Sequence, residues 1–419
     1  MDGCGSGWVE WKSYAAVPAG SNFFFSGQRK TILAPALTAG TFAPMRFRLI
    51  ATLLICFAAA HGADDLQIAS RLVVAPGNIA ITPEGRQIVS LHQFFEPKNR
   101  VVEIAKDGSL KPFPNAAYNQ SETNPLGVAF DAVLGLQSDA NGVVWMLDNG
   151  LRGHTLPKLV AWDTRKDRLA RVIYLPPPAT VADSFVNDLA VDLAHNAIYI
   201  ADPAGGSDAA LIVVDIPTGL SRRVLQGHLS VVPEEIDLSV DGRVLEMKNA
   251  DGQKTKLRIG VNPIALDAKA DWLYFGPMSA ESMYRIQAGM LADPRVSRDE
   301  LALRVERYSA KPVCDGIALD KAGNIYISDV AHNAVGVITP DREYRQLASD
   351  PQLSWPDAFA IGPDGFLRVI ANQLQRSPKM NDGQNLAETP YLIFKMKPLA
   401  GEVAPPKKPR AADRKKPAQ

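Results

Sequence analysis

Between Gln67 and Pro398 the chain alternates short apolar runs with breaks rich in Gly, Asp and Asn. One phrase of polar start, apolar middle and turn recurs through it. Asp315-Gly-Ile-Ala-Leu-Asp320 is followed by Lys-Ala-Gly-Asn and then Ile325-Tyr-Ile-Ser-Asp329. The phrase returns at Gly77, Leu134, Asn187, Asn262 and Asp357, so it has six copies. Each copy reads as strand, turn, strand, because Val, Ile, Leu, Tyr and Phe suit a half-buried pleated surface. The Gly that follows Asp, Asn or Glu supplies the positive φ a tight hairpin needs. A second strand pair follows most copies, as in Lys158-Leu-Val-Ala-Trp162 and Arg171-Val-Ile-Tyr174.

The copies lie about 40 to 75 residues apart, which fits a four-stranded blade with variable outer loops. A sheet that small cannot bury both faces alone. Six around an axis bury each face on a neighbour. The pattern therefore predicts an all-β, six-bladed β-propeller with four-stranded blades over residues 67–398. A pair of β-sandwiches gives no reason for six copies of one phrase. Closure is expected from pairing of the N- and C-terminal strands, near Val73 and near Phe394.

The ends read differently. Residues 1–44 show no sustained period and are expected to be a non-native or disordered extension. Met45-Arg-Phe-Arg48, the apolar run Leu49–Ala60 and the small residues up to Ala63 have the form of a signal peptide over 45–63. That run is short for a bilayer span, so no stable membrane insertion is expected once it is removed. Residues 399–419 are basic and poor in large apolar side chains, and a disordered tail is expected there. The protein is thus expected to be secreted or periplasmic.

Composition narrows the function classes. The 45 Lys and Arg balance 45 Asp and Glu, which gives no sign of a nucleic-acid partner. Of three cysteines, only Cys314 lies in the predicted domain, and it reads as a small buried hydrophobe. The five histidines from His92 to His332 show no ligand spacing, no Ser nucleophile motif is present, and all five read as surface or turn residues. A monomer is expected.

Candidate chemistry lies at the start of the phrase. The first strand of a blade lines the central channel, so the phrase starts should share one height. Around the ring they are Gly77, Leu134, Asn187, Asn262, Asp315 and Asp357. With Asp188 beside Asn187, the polar members are candidate ligand-binding residues. Converging oxygens suit a hard cation such as Ca²⁺, with Asn187, Asn262 and Asp315 as candidate ligands. Gly77 and Leu134 are expected to leave the opposite wall open. Asp148-Asn149, at the end of a blade strand, is a secondary candidate for reaching the channel.

The chain resembles the major royal jelly/yellow protein family. Val143-Val-Trp-Met-Leu-Asp-Asn-Gly150 is similar to that family's LWVLDTG segment. Pro157–Asp163, Ala197–Asp202 and Asn333–Val337 follow in the family's order. The resemblance implies a secreted propeller that binds a small ligand, such as an amine, at the channel mouth. A more distant resemblance is to the senescence-marker/gluconolactonase propellers. It implies that Asn187, Asn262 and Asp315 match three of that family's four metal ligands. Gly77 and Phe185 stand where the family has its Glu and its substrate-binding Arg. The alternative function is then a metal-dependent lactone hydrolase with Asp315 as catalytic base.

The signal pattern makes a direct prediction. N-terminal sequencing of the native protein should begin between about Ala59 and Asp65. A native chain beginning at Met1 would overturn it.

Overall fold

The computed structural model describes residues 66–120, 127–248 and 252–399. The segments read as extension and signal peptide, and the tail beyond Leu399, lie outside these residues. The described chain forms six four-stranded antiparallel sheets. Their inner strands are Pro76–Ile81, Val133–Ser138, Asp188–Asp192, Val261–Leu266, Cys314–Leu319 and Pro356–Ile361, one for each of blades 1 to 6. In blades 1 to 5 the next three strands follow outward in chain order. This is a six-bladed β-propeller.

The strand Ala197–Asp202 shows why the sequence folds this way. Its apolar residues do not alternate with polar ones, because both faces are covered. Ile198 and Ile200 pack with Leu147 and Leu159 of blade 2. Tyr199 and Ala201 pack with Phe275 and Tyr284 of blade 4. Each blade is therefore stable only between its neighbours.

Near the axis there is little room. A Cβ on Gly135 would lie 2.7 Å from the Asn187 carbonyl oxygen, and one on Gly316 would lie 2.4 Å from that of Asp357. Both glycines hold the second place of the phrase. They let the inner strands of successive blades approach within backbone contact.

Two families of aspartate serve the scaffold. Those ending the phrase cap the hairpin turn. Asp320 accepts the Ala322 and Asn324 backbone N–H groups and the Tyr326 hydroxyl. Those ending the second strand tie it to the chain entering the blade. Asp148 is fully buried, accepts the N–H groups of Asp131 and Ala132, and pairs with Lys158 at 2.9 Å. Asp202 accepts the Phe185 N–H and pairs with Arg223 at 2.6 Å. Asp148-Asn149 thus holds blade 2 together and does not line the axial cavities described below.

Blade 6 is composite. Its outermost strand is Gln67–Leu72, paired with the C-terminal strand Tyr391–Met396. This is the expected closure, but its register is shifted. Ile68 stands opposite Phe394, while Val73 lies one residue past the strand and is 76% exposed. Val73 and Val74 continue the apolar run without continuing the pairing.

The register separates two substitutions. Phe394 is 1% exposed within the blade 5–6 core, so Phe394→Ala should cost about 3–5 kcal/mol of unfolding free energy. Val73→Ala should change it by less than about 0.5 kcal/mol. Denaturant melts of both check this, and equal losses would mean that the closing strand extends to Val73.

Candidate functional site

All six phrase starts line one axial chamber of about 60 Å³. Asn78 and Asp188, from the second place of the phrase, reach it too. The rest of its lining is His92, Phe94, Phe185 and Leu374. The expected convergence of Asn187, Asp188, Asn262, Asp315 and Asp357 is therefore present in space.

The polar residues form a directed chain. Trp355 donates its indole N–H to Asp315 Oδ2 at 2.6 Å. Asn262 donates its amide to Asp315 Oδ1 at 2.5 Å, which leaves its own oxygen to accept from the Asn187 amide. The Asp315 carboxylate needs donors, so it sets the orientation of both asparagines. Trp355 reaches it from a backbone at φ +54°, a left-handed conformation that costs of order 1 kcal/mol for a bulky residue. The Asp315 and Gly316 N–H groups in turn both donate to Ser328 Oγ. Asp315 is thus the most constrained side chain of the chamber.

This arrangement bears on the two cation chemistries. Both Asp315 oxygens hold donors, and the Asn262 oxygen faces an N–H. Asn187, Asn262 and Asp315 therefore pass hydrogen bonds to one another and do not converge lone pairs on a point. Among the described residues no three His, Cys, Asp or Glu side chains are grouped to hold a metal ion. As arranged, the two asparagines spend their amides on this chain, while each Asp315 oxygen keeps one lone pair for a further partner.

The electrostatics are one-sided. Burial pushes the Asp188 carboxyl up to about 7, and the nearby Asp315 charge adds to this. Burial pushes Asp315 up to about 6, against the hydrogen bonds from Trp355 and Asn262. Asp357 is raised well above the carboxylate range, by burial and then by Asp315 and Asp188. Its one amide donor is Asn372, at 2.7 Å. Among the described residues no Lys or Arg lines the chamber. His92 does not compensate, because burial holds it down to about 3 and its Nδ1 accepts the Phe94 N–H. It is neutral, with its proton on Nε2.

The wall expected to be open at Gly77 and Leu134 is closed. A Cβ on Gly77 would meet Ser90 Oγ at 3.1 Å and the Leu134 side chain at 3.4 Å. Ser90 in turn donates to the Leu134 carbonyl at 2.7 Å, joining blades 1 and 2. Beside this wall the rings of His92 and Phe94 meet edge to face at 4.8 Å, and Phe94 lies 6.3 Å from Phe185. His92 stands at a turn, where its ring caps the Phe94 N–H, and is buried there; nothing in the repeated phrase marks Phe94. The Phe94-Phe95 pair between two strands of blade 1 was the only available signal. Cys314 is buried as expected, and its thiol is pushed up to about 11, which makes it inert.

Comparison with known proteins places the chain. The family model described as major royal jelly protein matches residues 132–399. No curated protein matches. Among solved structures, a gluconolactonase from Xanthomonas campestris is 12% identical, with a TM-score of 0.49 over 80% of this chain and 89% of that one. Virginiamycin B lyase from Staphylococcus aureus is 15% identical, with a TM-score of 0.45 over 80% of this chain and 99% of that one. At such identities their activities do not pass to this chain.

The raised carboxyls make stability depend on pH. The folded chain keeps protons that the unfolded chain releases above about pH 4. The contribution of these carboxyls to stability should therefore be full below about pH 4 and fall as pH rises through the folded values of about 6 for Asp315 and about 7 for Asp188. Asp357→Asn removes part of this penalty while keeping an oxygen for Asn372. Thermal melts without ligand should show Asp357→Asn more stable than the parent at pH 8 and equal to it at pH 4. A variant less stable than the parent at pH 8 would show that the carboxylate is already compensated.

Proposed function

Because the chain belongs to the major royal jelly protein family, we propose that it is an exported propeller that binds a small protonated amine in the axial chamber. The observation that carries this is the chamber's charge. Asp188, Asp315 and Asp357 share one small volume with no Lys or Arg among the described residues, and Phe94 and Phe185 form part of its wall. Ionising such a cluster is costly unless a cation joins it. An ammonium group supplies that charge and three N–H donors, which match acceptor carboxylates better than they match a lactone carbonyl. Aromatic faces add attraction for a desolvated cation. The volume suits an ammonium head with a short chain. Export rests on the signal-like segment at 45–63.

The proton balance follows from the site. A cationic ligand favours ionised carboxyls, so binding releases protons and tightens as pH rises from about 5 to about 8.

Calorimetric titration with methylammonium, ethylammonium, phenethylammonium, Ca²⁺, Zn²⁺ and a lactone panel tests the reading. An amine should bind the parent, and Asp315→Ala should weaken it at least tenfold. Asp320→Ala should leave amine affinity unchanged and lower stability by on the order of 1–3 kcal/mol, since its carboxylate only holds a turn. Tight Ca²⁺ or Zn²⁺ binding without amine binding, or lactone turnover lost in Asp315→Ala, would replace the amine reading.

A further inference from the structure

The chamber has two neighbours along the axis. Above it lies an outer cleft of about 520 Å³, and Phe94 lines both. Below it lies a second axial cavity of about 220 Å³, and Asn78 and Asp188 line both. Phe94 is thus the lining residue that the chamber and the upper cleft share. One hydrogen bond, from Asn78 Nδ2 to Asp188 Oδ1 at 3.1 Å, spans the axis toward the lower cavity.

The upper cleft is lined by the charged residues Glu96, Glu246, Lys248, Lys254, Lys379 and Asp382, but the layer between it and the chamber is apolar and latched. Between blades 3 and 4 the chain adds two small hairpins, Ser239–Val240 with Arg243–Val244 and Glu246–Lys248 with Lys254–Lys256. Leu238, Val240 and Leu245 of this insertion pack on Trp355 and Leu374, with Phe94 at the margin. Its turn is tied to blade 6. Asp241 accepts from the Gln375 amide at 2.7 Å, and Arg243 donates to the Gln375 carbonyl at 3.0 Å. A cation arriving from above must lose its water against phenylalanine and leucine.

The lower side is polar and narrow-walled. All six inner strands line it. In the fourth place of the phrase five blades carry alanine, namely Ala80, Ala190, Ala265, Ala318 and Ala360, and blade 2 carries Gln137. Small side chains there leave room at the axis, and Gln137 turns aside to accept the Val191 N–H at 2.7 Å. In the second place, where the Asn78–Asp188 bar lies, the other four residues are Gly135, Pro263, Gly316 and Ala358. Blade 2 lies between blades 1 and 3, and the absent side chain of Gly135 is what lets Asn78 reach Asp188 across it.

We infer that the chamber is loaded from the lower face, through the axial channel, and that Asp188 with Asn78 is its specificity-determining gate. The ligands it passes are small cations that remain hydrated up to the bar. There Asp188 replaces part of the lost hydration with charge. Anions are turned back at the same point, because a carboxylate on the axis of a narrow channel repels them before they reach the chamber. Asn78 holds Asp188 across the axis when nothing is passing. The inference rests on the reading that the chamber takes a cation, but it concerns the route and is tested without that ligand.

The test reads access to a thiol placed in the chamber. Leu134→Cys in a background with Cys4, Cys56 and Cys314 all changed to Ser puts a single reactive group on the chamber wall. Its modification rates by a cationic aminoethyl and an anionic sulfonatoethyl methanethiosulfonate are followed by mass spectrometry. The cationic reagent should react at least tenfold faster than the anionic one, and Asp188→Asn should remove that preference. Ala318→Phe, or Ala265→Phe should the first plug fail to fold, should slow the cationic reagent at least tenfold. Arg243→Ala and Asp241→Ala, which each cut the upper latch, should leave its rate within about twofold of the parent's. A folded plug without effect, or a thiol that never reacts, overturns the inference, whatever the upper-face variants do. If the labelling pattern holds and calorimetry finds no amine bound, the route stands and the amine reading falls.

Discussion

Everything at the axis follows from the pairing of Gln67–Leu72 with Tyr391–Met396. A four-stranded sheet has two faces to bury, and only a closed ring gives every blade two neighbours. Closing the ring drives six inner strands toward one line. Glycines at 135 and 316 then become necessary, because their neighbours' carbonyl oxygens occupy the space a Cβ would need. The same closure carries the first residue of every phrase into one small chamber. The site is a consequence of symmetry and does not depend on any single loop.

Convergence has an electrostatic cost. Three carboxyls in one desolvated volume repel, and the protein has not removed them or given them a lysine. It holds the most buried, Asp315, between an indole N–H and an amide. It uses one amide each for Asp188 and Asp357. Neutral donors soften the repulsion without cancelling the charge, so the protons stay on well above the usual carboxylate range. Positive φ at Trp355 is local strain at the site, tolerated because Leu238, Val240 and Leu374 enclose the ring around it.

Aspartate does three jobs in this chain, and the sequence shows only part of the division. At the end of the phrase it caps a turn, as at Asp320. At the end of the second strand it anchors the incoming chain, as at Asp148 and Asp202, with a buried Lys158 or Arg223 beside it. Only in the first two places of the phrase, as at Asp315, Asp357 and Asp188, does it face the axis. Register separated the first job from the third correctly, since a strand has a fixed side-chain direction at each place. It misjudged Asp148, because the partner Lys158 comes from the next strand and no local pattern announces it.

The amino-acid sequence by itself determined the number of blades, their four strands, the closure between chain ends and the layer of Asn187, Asn262, Asp315 and Asp357. These follow from period and repetition, which are local and additive. Tertiary structure alone decided the register of closure at Ile68 and not Val73, because the apolar run continues past the last paired residue. It alone turned Asn262 toward Asp315, placed Trp355 over the carboxylate and brought His92, Phe94 and Phe185 to the chamber wall. Those positions depend on loops from different blades meeting at the axis, and the physical reason is plain. A repeat says where each strand starts, whereas contacts between loops of unequal length are set only when the ring has closed.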